Sequence, residues 1–283
     1  MAKSRWYRQR LLKDKTAVLV GASKGIGKET AKTLVSLGCS VCIIARHPET
    51  LESAAAEIRS LIRHQEQFVD TIQCDATDME QIHPCLTEFV GRRGVPDYLV
   101  NLVGRANPRY VQETSLADYR DSIEANYFGQ LIPTMVLLPA LIEARRGHIA
   151  FVSSMLGFMG IMGYAAYTPT KHALVGLAEV LRQELIPYGI QISILFPPDT
   201  DTPGFEVENK SKPEETALLS SNVKLMTAQD VAEAFVDGLL RQRYFILPGE
   251  AGLVWRVNRL FPWLVRWIAD RQFRQARASL GKD

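Results

Sequence analysis

The stretch VLVGASKGIGKET, residues 18–30, passes from a β-rich apolar run through a glycine-rich turn into a segment of helical period. Gly21, Gly25 and Gly27 let the backbone turn tightly and approach a pyrophosphate, whose charge meets the free amides and positive dipole of a helix N-terminus. Ser23, Lys24 and Ile26 complete this predicted cofactor cradle. The spacing G-x-x-x-G-x-G departs from the usual dinucleotide G-x-G-x-x-G, so the turn must be read with its surroundings. Residues 21–25 also match the nucleophile elbow G-x-S-x-G, which requires an acid and a histidine on later strand-end loops. His47, His64 and His83 stand in surface-type contexts, His148 opens a strand and His172 lies inside a helix, so none is placed as a base.

Outward from the turn, short apolar runs alternate with helix-period segments: 16–20, 40–45, 68–74, 98–101, 148–153, 190–196 and 244–247. Near-continuous apolar strands separated by amphipathic helices predict a parallel sheet covered on both faces, a doubly wound α/β fold. At 283 residues, with 47% apolar and 23% charged residues, the chain fits one such domain. Residues 1–13 form a basic arm, 14–247 the domain and 248–283 a tail. Residues 198–226 are polar, lack a sustained period and predict a long mobile loop, either a lid over a site or a disordered insert.

The net charge of +2, from 33 basic and 31 acidic residues, offers no whole-protein field for nucleic acid. The arm runs into a short apolar stretch without the long core of a signal peptide or spanning helix, so a cytosolic protein is expected. Cys39 and Cys42 make a Cys-x-x-Cys at the entry to a strand, where residues three apart face opposite sides and cannot chelate one ion. No metal is expected.

The second apolar run ends in Ala45 and Arg46, where a site preferring NAD carries an acid for the ribose 2′-hydroxyl. Arg46 can pair with a 2′-phosphate through a charge-assisted fork and Lys24 adds a second cation, which favours NADP(H) over the alternative of a solvated arginine. Tyr167 and Lys171 are four apart, on one face of a helix predicted to begin near Pro169. A free tyrosine has a pKa of about 10, and an ammonium held beside it is expected to favour the phenolate and lower that value. Tyr164 falls on the approach to the helix and reads as a pocket wall.

Gly21-x-x-x-Gly25-x-Gly27, Asp75, Asn101 to Gly104, Asn126, Ser154 and Tyr167-x-x-x-Lys171 together resemble the short-chain dehydrogenases/reductases, over residues 14–247. The resemblance implies a Rossmann fold and a reductase in which Ser154 polarises a carbonyl and Tyr167 donates its proton as hydride arrives. Lys171 would hold the nicotinamide ribose, and Asn126 would position a water linking the lysine to solvent. Asp75 would bind the adenine edge, Thr202 the nicotinamide amide or phosphate, and Asn101 and Gly104 would belong to the cofactor wall. Ser153 would be strand structure, and a homo-oligomer is implied. Two departures stand out. Asn101-Leu102-Val103-Gly104 replaces the family's Asn-Asn-Ala-Gly and loses a side chain expected to tie neighbouring strands, and Pro197-Pro198 replaces Pro-Gly, stiffening the start of the predicted loop.

FPPDTDTPGF and the residues after it, 196–216, are similar to the corresponding segment of the sphingolipid branch of this family, the 3-ketodihydrosphingosine reductases. That likeness implies NADPH-dependent reduction of a long-chain lipid ketone. A reductase of another lipid-like ketone (steroid, retinoid or 3-oxoacyl) is the alternative, and a cofactor-binding regulator without turnover is a further one. Met155, Leu156, Phe158, Met159, Ile161 and Met162 suit either an alkyl chain or core packing. In 249–271, Leu253, Val257, Leu260, Leu264 and Ile268 share a helical face opposite Arg259 and Arg266, with Trp255, Trp263 and Trp267 interspersed. Such a helix lies in a membrane interface or packs on protein. No uninterrupted apolar stretch of about 20 residues predicts a span.

Overall fold

The computed structural model describes residues 2–221 and 223–282; Met1, Asn222 and Asp283, at the ends of the predicted arm and tail and within the predicted loop, lie outside them. In chain order the first half comprises α1 (Ala2–Leu12), β1 (Thr16–Val20), α2 (Gly25–Ser36), β2 (Ser40–Ala45), α3 (Pro48–Arg59), β3 (Val69–Gln73), α4 (Met79–Arg93), β4 (Tyr98–Asn101), α5 (Leu116–Ile123) and α6 (Gly129–Ala144). The second half comprises β5 (Gly147–Val152), α7 (Thr168–Glu184), β6 (Ile190–Leu195), β7 (Thr200–Asp201), α8 (Pro203–Asn209), α9 (Glu214–Ser220), β8 (Met226–Thr227), α10 (Ala228–Leu240), β9 (Phe245–Ile246), α11 (Ala251–Leu260) and α12 (Pro262–Ser279).

The main sheet runs β3-β2-β1-β4-β5-β6-β9, every pairing parallel. Strand residues alternate between two cores. Ala17, Leu19, Val41 and Ile43 pack on one side with α2, α3 and α10, while Val18, Val20, Cys42 and Ile44 pack on the other with α4, α6 and α7. This is the predicted doubly wound sheet. Cys39 and Cys42 fall into different cores, with all four cysteines free, and burial lifts the Cys42 thiol to about 12. Winding reverses between β1 and β4, which opens a crevice at the carboxyl ends of these strands, where doubly wound folds bind ligands.

Three predicted segments differ. The basic arm is helical from residue 2, and Arg8 pairs with Asp237 of α10 at 2.8 Å. The predicted mobile loop 198–226 contains α8 and α9, bracketed by the small β7–β8 ladder. The tail is two helices rather than one, because Phe261, which precedes Pro262, leaves the helical region that a following proline disfavours (φ −134°, ψ 60°). The continuous helical run Leu116–Ala144 also meets, by length and mean hydropathy of 1.3, the measure of a membrane span that the sequence reading did not expect. It is built into the domain: Leu137 and Leu141 lie in the core, and Asn126, Gln130 and Thr134 are buried within it.

Candidate active site

The glycine turn is a close-packed cradle. Gly21 has φ +86° and a Cβ there would stand 2.9 Å from Val103 N, while Gly25 has φ +51° and faces the Thr202 methyl. A Cβ at Gly27 would meet the Gly21 carbonyl at 2.5 Å, so the first turn of α2 must be glycine to seat against β1. A cavity of about 390 Å³ opens from this turn. Its walls include Gly21, Ser23, Lys24, Gly25, Ile26, Gly27, Arg46, Asp75, Gly104 and Thr202, ten of the predicted cofactor residues from five separate segments. The cradle, the helix N-terminus and a flanking arginine fit a phosphorylated dinucleotide.

Arg46 is half-exposed at the cavity edge and pairs with Asp75 at 3.4 Å. Asp75 is further held by Thr77, whose backbone and hydroxyl both donate to Oδ1. Thr202 caps α8 by accepting from the Phe205 N–H at 3.1 Å. Asn101 stands behind the wall instead: its side chain is fully buried and donates to Thr134 Oγ1 at 3.0 Å, tying β4 to α6.

The catalytic candidates meet at the next strand ends. Tyr167 is the N-cap of α7, which begins at Thr168, one position before Pro169, and its carbonyl accepts from the Lys171 N–H. Lys171 is buried and its Nζ donates to the Val152 carbonyl at 3.0 Å. A Cβ on Gly104 would lie 2.9 Å from that Nζ and 3.3 Å from Asn126 Oδ1, so amine and amide converge on one backbone point. Asn126 sits in a π-helical turn, Glu124–Phe128, accepting from the Arg105 N–H at 2.7 Å and donating to Thr170 Oγ1 at 3.1 Å. Ser154 follows β5, accepts from the Leu156 N–H and hydrogen-bonds to the Tyr167 phenol. Ser153, predicted as mere strand structure, donates to the Lys171 carbonyl at 2.9 Å and so fixes the lysine's turn of helix.

The electrostatics reverse one expectation. Burial raises the Tyr167 phenol above the ordinary tyrosine value, Glu208 and Asp199 push the same way, and the Ser154 hydrogen bond opposes them. Lys171 does not lower it, because burial itself pushes the Lys171 ammonium down to about 7. Its Nζ is 5.4 Å from the Tyr167 ring centroid and aimed at Val152 O. A dry site penalises both the phenolate and the ammonium, so the protein's own field keeps the proton on the phenol.

Several contributing residues escaped the sequence reading. Gln130 is fully buried and donates from Nε2 to the carbonyls of Val103 and Val152, both at 2.9 Å, while its Oε1 accepts from the Val152 N–H at 3.0 Å. It supplies the strand tie that Leu102-Val103 lacks. Its signal was available: a lone amide opening the apolar run LIPTMVLLPAL. Glu208 and Lys212 lay in the predicted loop and carried no signal. Tyr164 is the expected pocket wall; it lines a second cavity of about 650 Å³ bounded by Tyr110–Gln112, residues 160–165 and Phe273 and Arg277 of α12.

The tail packs on the domain with one side. Arg277 and Lys282 reach the buried Glu215 of α9 at 3.6 and 3.7 Å, Tyr110 donates to Glu215 at 2.6 Å, and Trp255 stacks edge-on against Phe245. Its other side leaves Leu253, Leu260, Phe261, Trp263, Trp267 and Ile268 exposed.

Residues 15–213 match the short chain dehydrogenase family. The chain is 36% identical over 249 residues to a 3-ketodihydrosphingosine reductase of Dictyostelium discoideum, covering 83% of this chain and 75% of that protein. It is 37% identical to a 3-dehydrosphinganine reductase of Danio rerio, covering 80% of this chain and 69% of that protein. Among solved structures, a short chain dehydrogenase/reductase from Burkholderia phymatum in complex with NAD superposes with a TM-score of 0.78 at 22% identity, covering 89% of this chain and 95% of that one. Levodione reductase superposes with a TM-score of 0.74 at 24% identity, covering 81% and 91%.

Proposed function

The chain belongs to the short-chain dehydrogenase family, and from that premise we propose that it reduces the 3-ketone of 3-ketodihydrosphingosine to dihydrosphingosine with NADPH. The observation that carries the reading is the convergence of the Lys171 amine and the Asn126 amide on Gly104, beside Tyr167 and Ser154 and at the mouth of the glycine cradle. Bound NADPH supplies the hydride. Gly21 to Gly27 hold its phosphates, Arg46 and Lys24 the 2′-phosphate, and Asp75 the adenine edge. Gly104 and Thr202 line its path, and Lys171 holds the ribose.

On the chain's side the reaction needs a proton at the substrate oxygen and a donor for the charge that develops there. Ser154 Oγ donates to the carbonyl oxygen and polarises it. Tyr167 Oη then gives up its proton to the same oxygen. A phenol whose proton the site retains at neutral pH is in the correct state for a reduction. Lys171 and Asn126 return a proton to Tyr167 from solvent through a water held at Asn126.

The alkyl chain is received by the cavity of about 650 Å³ beside Tyr164, where Ile161 and Met162 face Phe273. The exposed apolar side of α11 and α12 lies in a membrane interface, where tryptophans and arginines are at home, so that substrate enters from lipid. Turnover of the purified protein with NADPH on 3-ketodihydrosphingosine, a steroid ketone, a retinal and a 3-oxoacyl thioester tests the assignment. The sphingoid ketone should be turned over with the highest kcat/KM, and Tyr167→Phe should abolish that activity; preference for another ketone, or an unimpaired Tyr167→Phe, overturns it.

A further inference from the structure

Glu208 has no place in the mechanism above, yet it is linked to the reacting phenol through Tyr164 and raises that phenol by its charge. Its Oε1 accepts from the Tyr164 hydroxyl at 2.5 Å, and the Tyr164 ring centroid is 6.0 Å from that of Tyr167. Asp199, which precedes β7, also raises the Tyr167 phenol, and burial raises the Asp199 and Glu208 carboxyls themselves. One cation answers the two carboxylates: Lys212 Nζ, 3.5 Å from Glu208 Oε1, with its side chain only 1% exposed and lying 4.1 Å from the Phe205 ring centroid. Lys171, the nearest other cation to Tyr167, is turned to Val152 O. When ionised, two carboxylates against one ammonium leave one negative charge over.

That surplus is unhelpful in a plain ketone reductase. A negative charge beside the reacting oxygen opposes the negative charge that builds on it during hydride transfer, and no donor pointed at that oxygen benefits from it. It becomes useful when the substrate itself brings one positive charge close to its carbonyl. An amino ketone with the ammonium on the carbon next to the carbonyl does this, and 3-ketodihydrosphingosine is such a compound. We propose that Glu208, oriented by Tyr164 and seconded by Asp199, receives the substrate's C2 ammonium and selects amino ketones over neutral ones. This rests on the function proposed above and adds to it the feature of the substrate that the site recognises. Lys212 holds the Glu208 carboxylate in place, and the ammonium completes the charge balance. No proton is consumed beyond the one Tyr167 delivers.

Steady-state kinetics with NADPH, on 3-ketodihydrosphingosine and on its desamino analogue 1-hydroxyoctadecan-3-one, separate the two claims. Wild type should favour the amino ketone in kcat/KM by on the order of 50-fold, chiefly through KM, as expected for a buried charge-assisted contact. Glu208→Gln should bring that ratio to within about fivefold. A measurement without any variant tests the same point: as pH rises through the amine's own pKa of about 8, the wild-type ratio should fall. Titration of Tyr167 and Lys171 is common to both substrates and cancels from the ratio; burial raises Glu208 and Asp199, whose ionisation with rising pH moves the ratio the other way, so the fall is read on the alkaline side of that rise. Failure of wild type to reduce the amino ketone overturns the proposed function. Reduction of both ketones with equal kcat/KM, a ratio independent of pH, or a ratio unchanged in folded Glu208→Gln overturns the subsite and leaves that function standing.

Discussion

Gln130→Met removes three buried hydrogen bonds with little change in side-chain volume. Nε2 no longer meets the carbonyls of Val103 and Val152, and the Val152 N–H loses Oε1. Each bond contributes about 1 kcal/mol net, and the Val152 N–H, buried in β5 with nothing to replace its acceptor, adds a desolvation cost of about 1 kcal/mol or more. The variant should therefore unfold about 3–4 kcal/mol more easily, a large share of an ordinary domain's margin. Catalysis should suffer separately, because the Val152 carbonyl that Gln130 fixes is the acceptor of Lys171 Nζ, and the Val103 peptide it fixes packs on Gly21. On protein kept folded at low temperature, kcat/KM should drop about tenfold or more. Gln130→Glu should do no better, since a carboxylate there faces two carbonyl oxygens. Urea unfolding followed by circular dichroism, with NADPH oxidation measured below the transition, reads both effects. A loss of stability below about 1 kcal/mol with normal turnover would refute the idea that Gln130 replaces the missing strand tie.

Three further outcomes follow from the site's charges and surfaces. Lys171 has a folded value of about 7 against 10.5 as the ordinary one, so the unfolded chain binds more protons between these limits and stability rises with pH across them. Below about pH 7 both states carry the proton and the cost is fully present; Lys171→Met should therefore be more stable than wild type by about 4 kcal/mol at pH 7, the gap closing towards pH 10, with activity lost. A pH-independent gap in thermal or urea unfolding would contradict this. Arg46→Ala should weaken NADPH by about 10- to 100-fold in KM while leaving NADH little changed, because only the 2′-phosphate distinguishes them; equal effects on both would remove Arg46 from the 2′-phosphate. Trp263→Ser/Trp267→Ser should reduce flotation with anionic liposomes without altering urea unfolding, since both side chains are exposed; unchanged flotation would return the tail to a purely protein-packing role.

The sheet was legible because its strands announce themselves locally. Five- and six-residue apolar runs such as TAVLV and SVCIIA, short, rich in β-branched residues and bounded by turn signals, read as strands buried on both faces, and the turn after the first needs glycine for a reason visible in the sequence. The Tyr167, Lys171 and Ser154 positions were legible by resemblance, and all three lie within one patch at the strand ends. What could not be read was the state of these groups. Spacing puts Lys171 one turn from Tyr167 but says nothing of dryness, and dryness decides that the lysine sheds its proton more readily than a free amine instead of drawing one from the phenol.

The segment 198–226 shows the complementary failure. Its helices α8 and α9 are seven residues each, two turns, too short for a periodic apolar signal to separate from chance. Its polar composition carries no sign of buried charge, since Lys and Glu are almost never buried without a partner. Here Glu215 is fully buried because Tyr110, Arg277 and Lys282 converge on it from elsewhere in the chain, and Lys212 is sequestered within the segment against Glu208 and Phe205. A buried charge costs several kcal/mol unless paired, so each of these residues is tolerable only in the assembled fold. That dependence also ties the tail to the site. α12 holds α9 through Glu215, α9 follows Glu208 closely along the same stretch, and the carboxylate that holds Tyr164 is therefore coupled to contacts that begin at residue 277. Loosening the tail should be felt first in substrate selection and only later in the cofactor cradle, most of whose lining comes from residues 20–105.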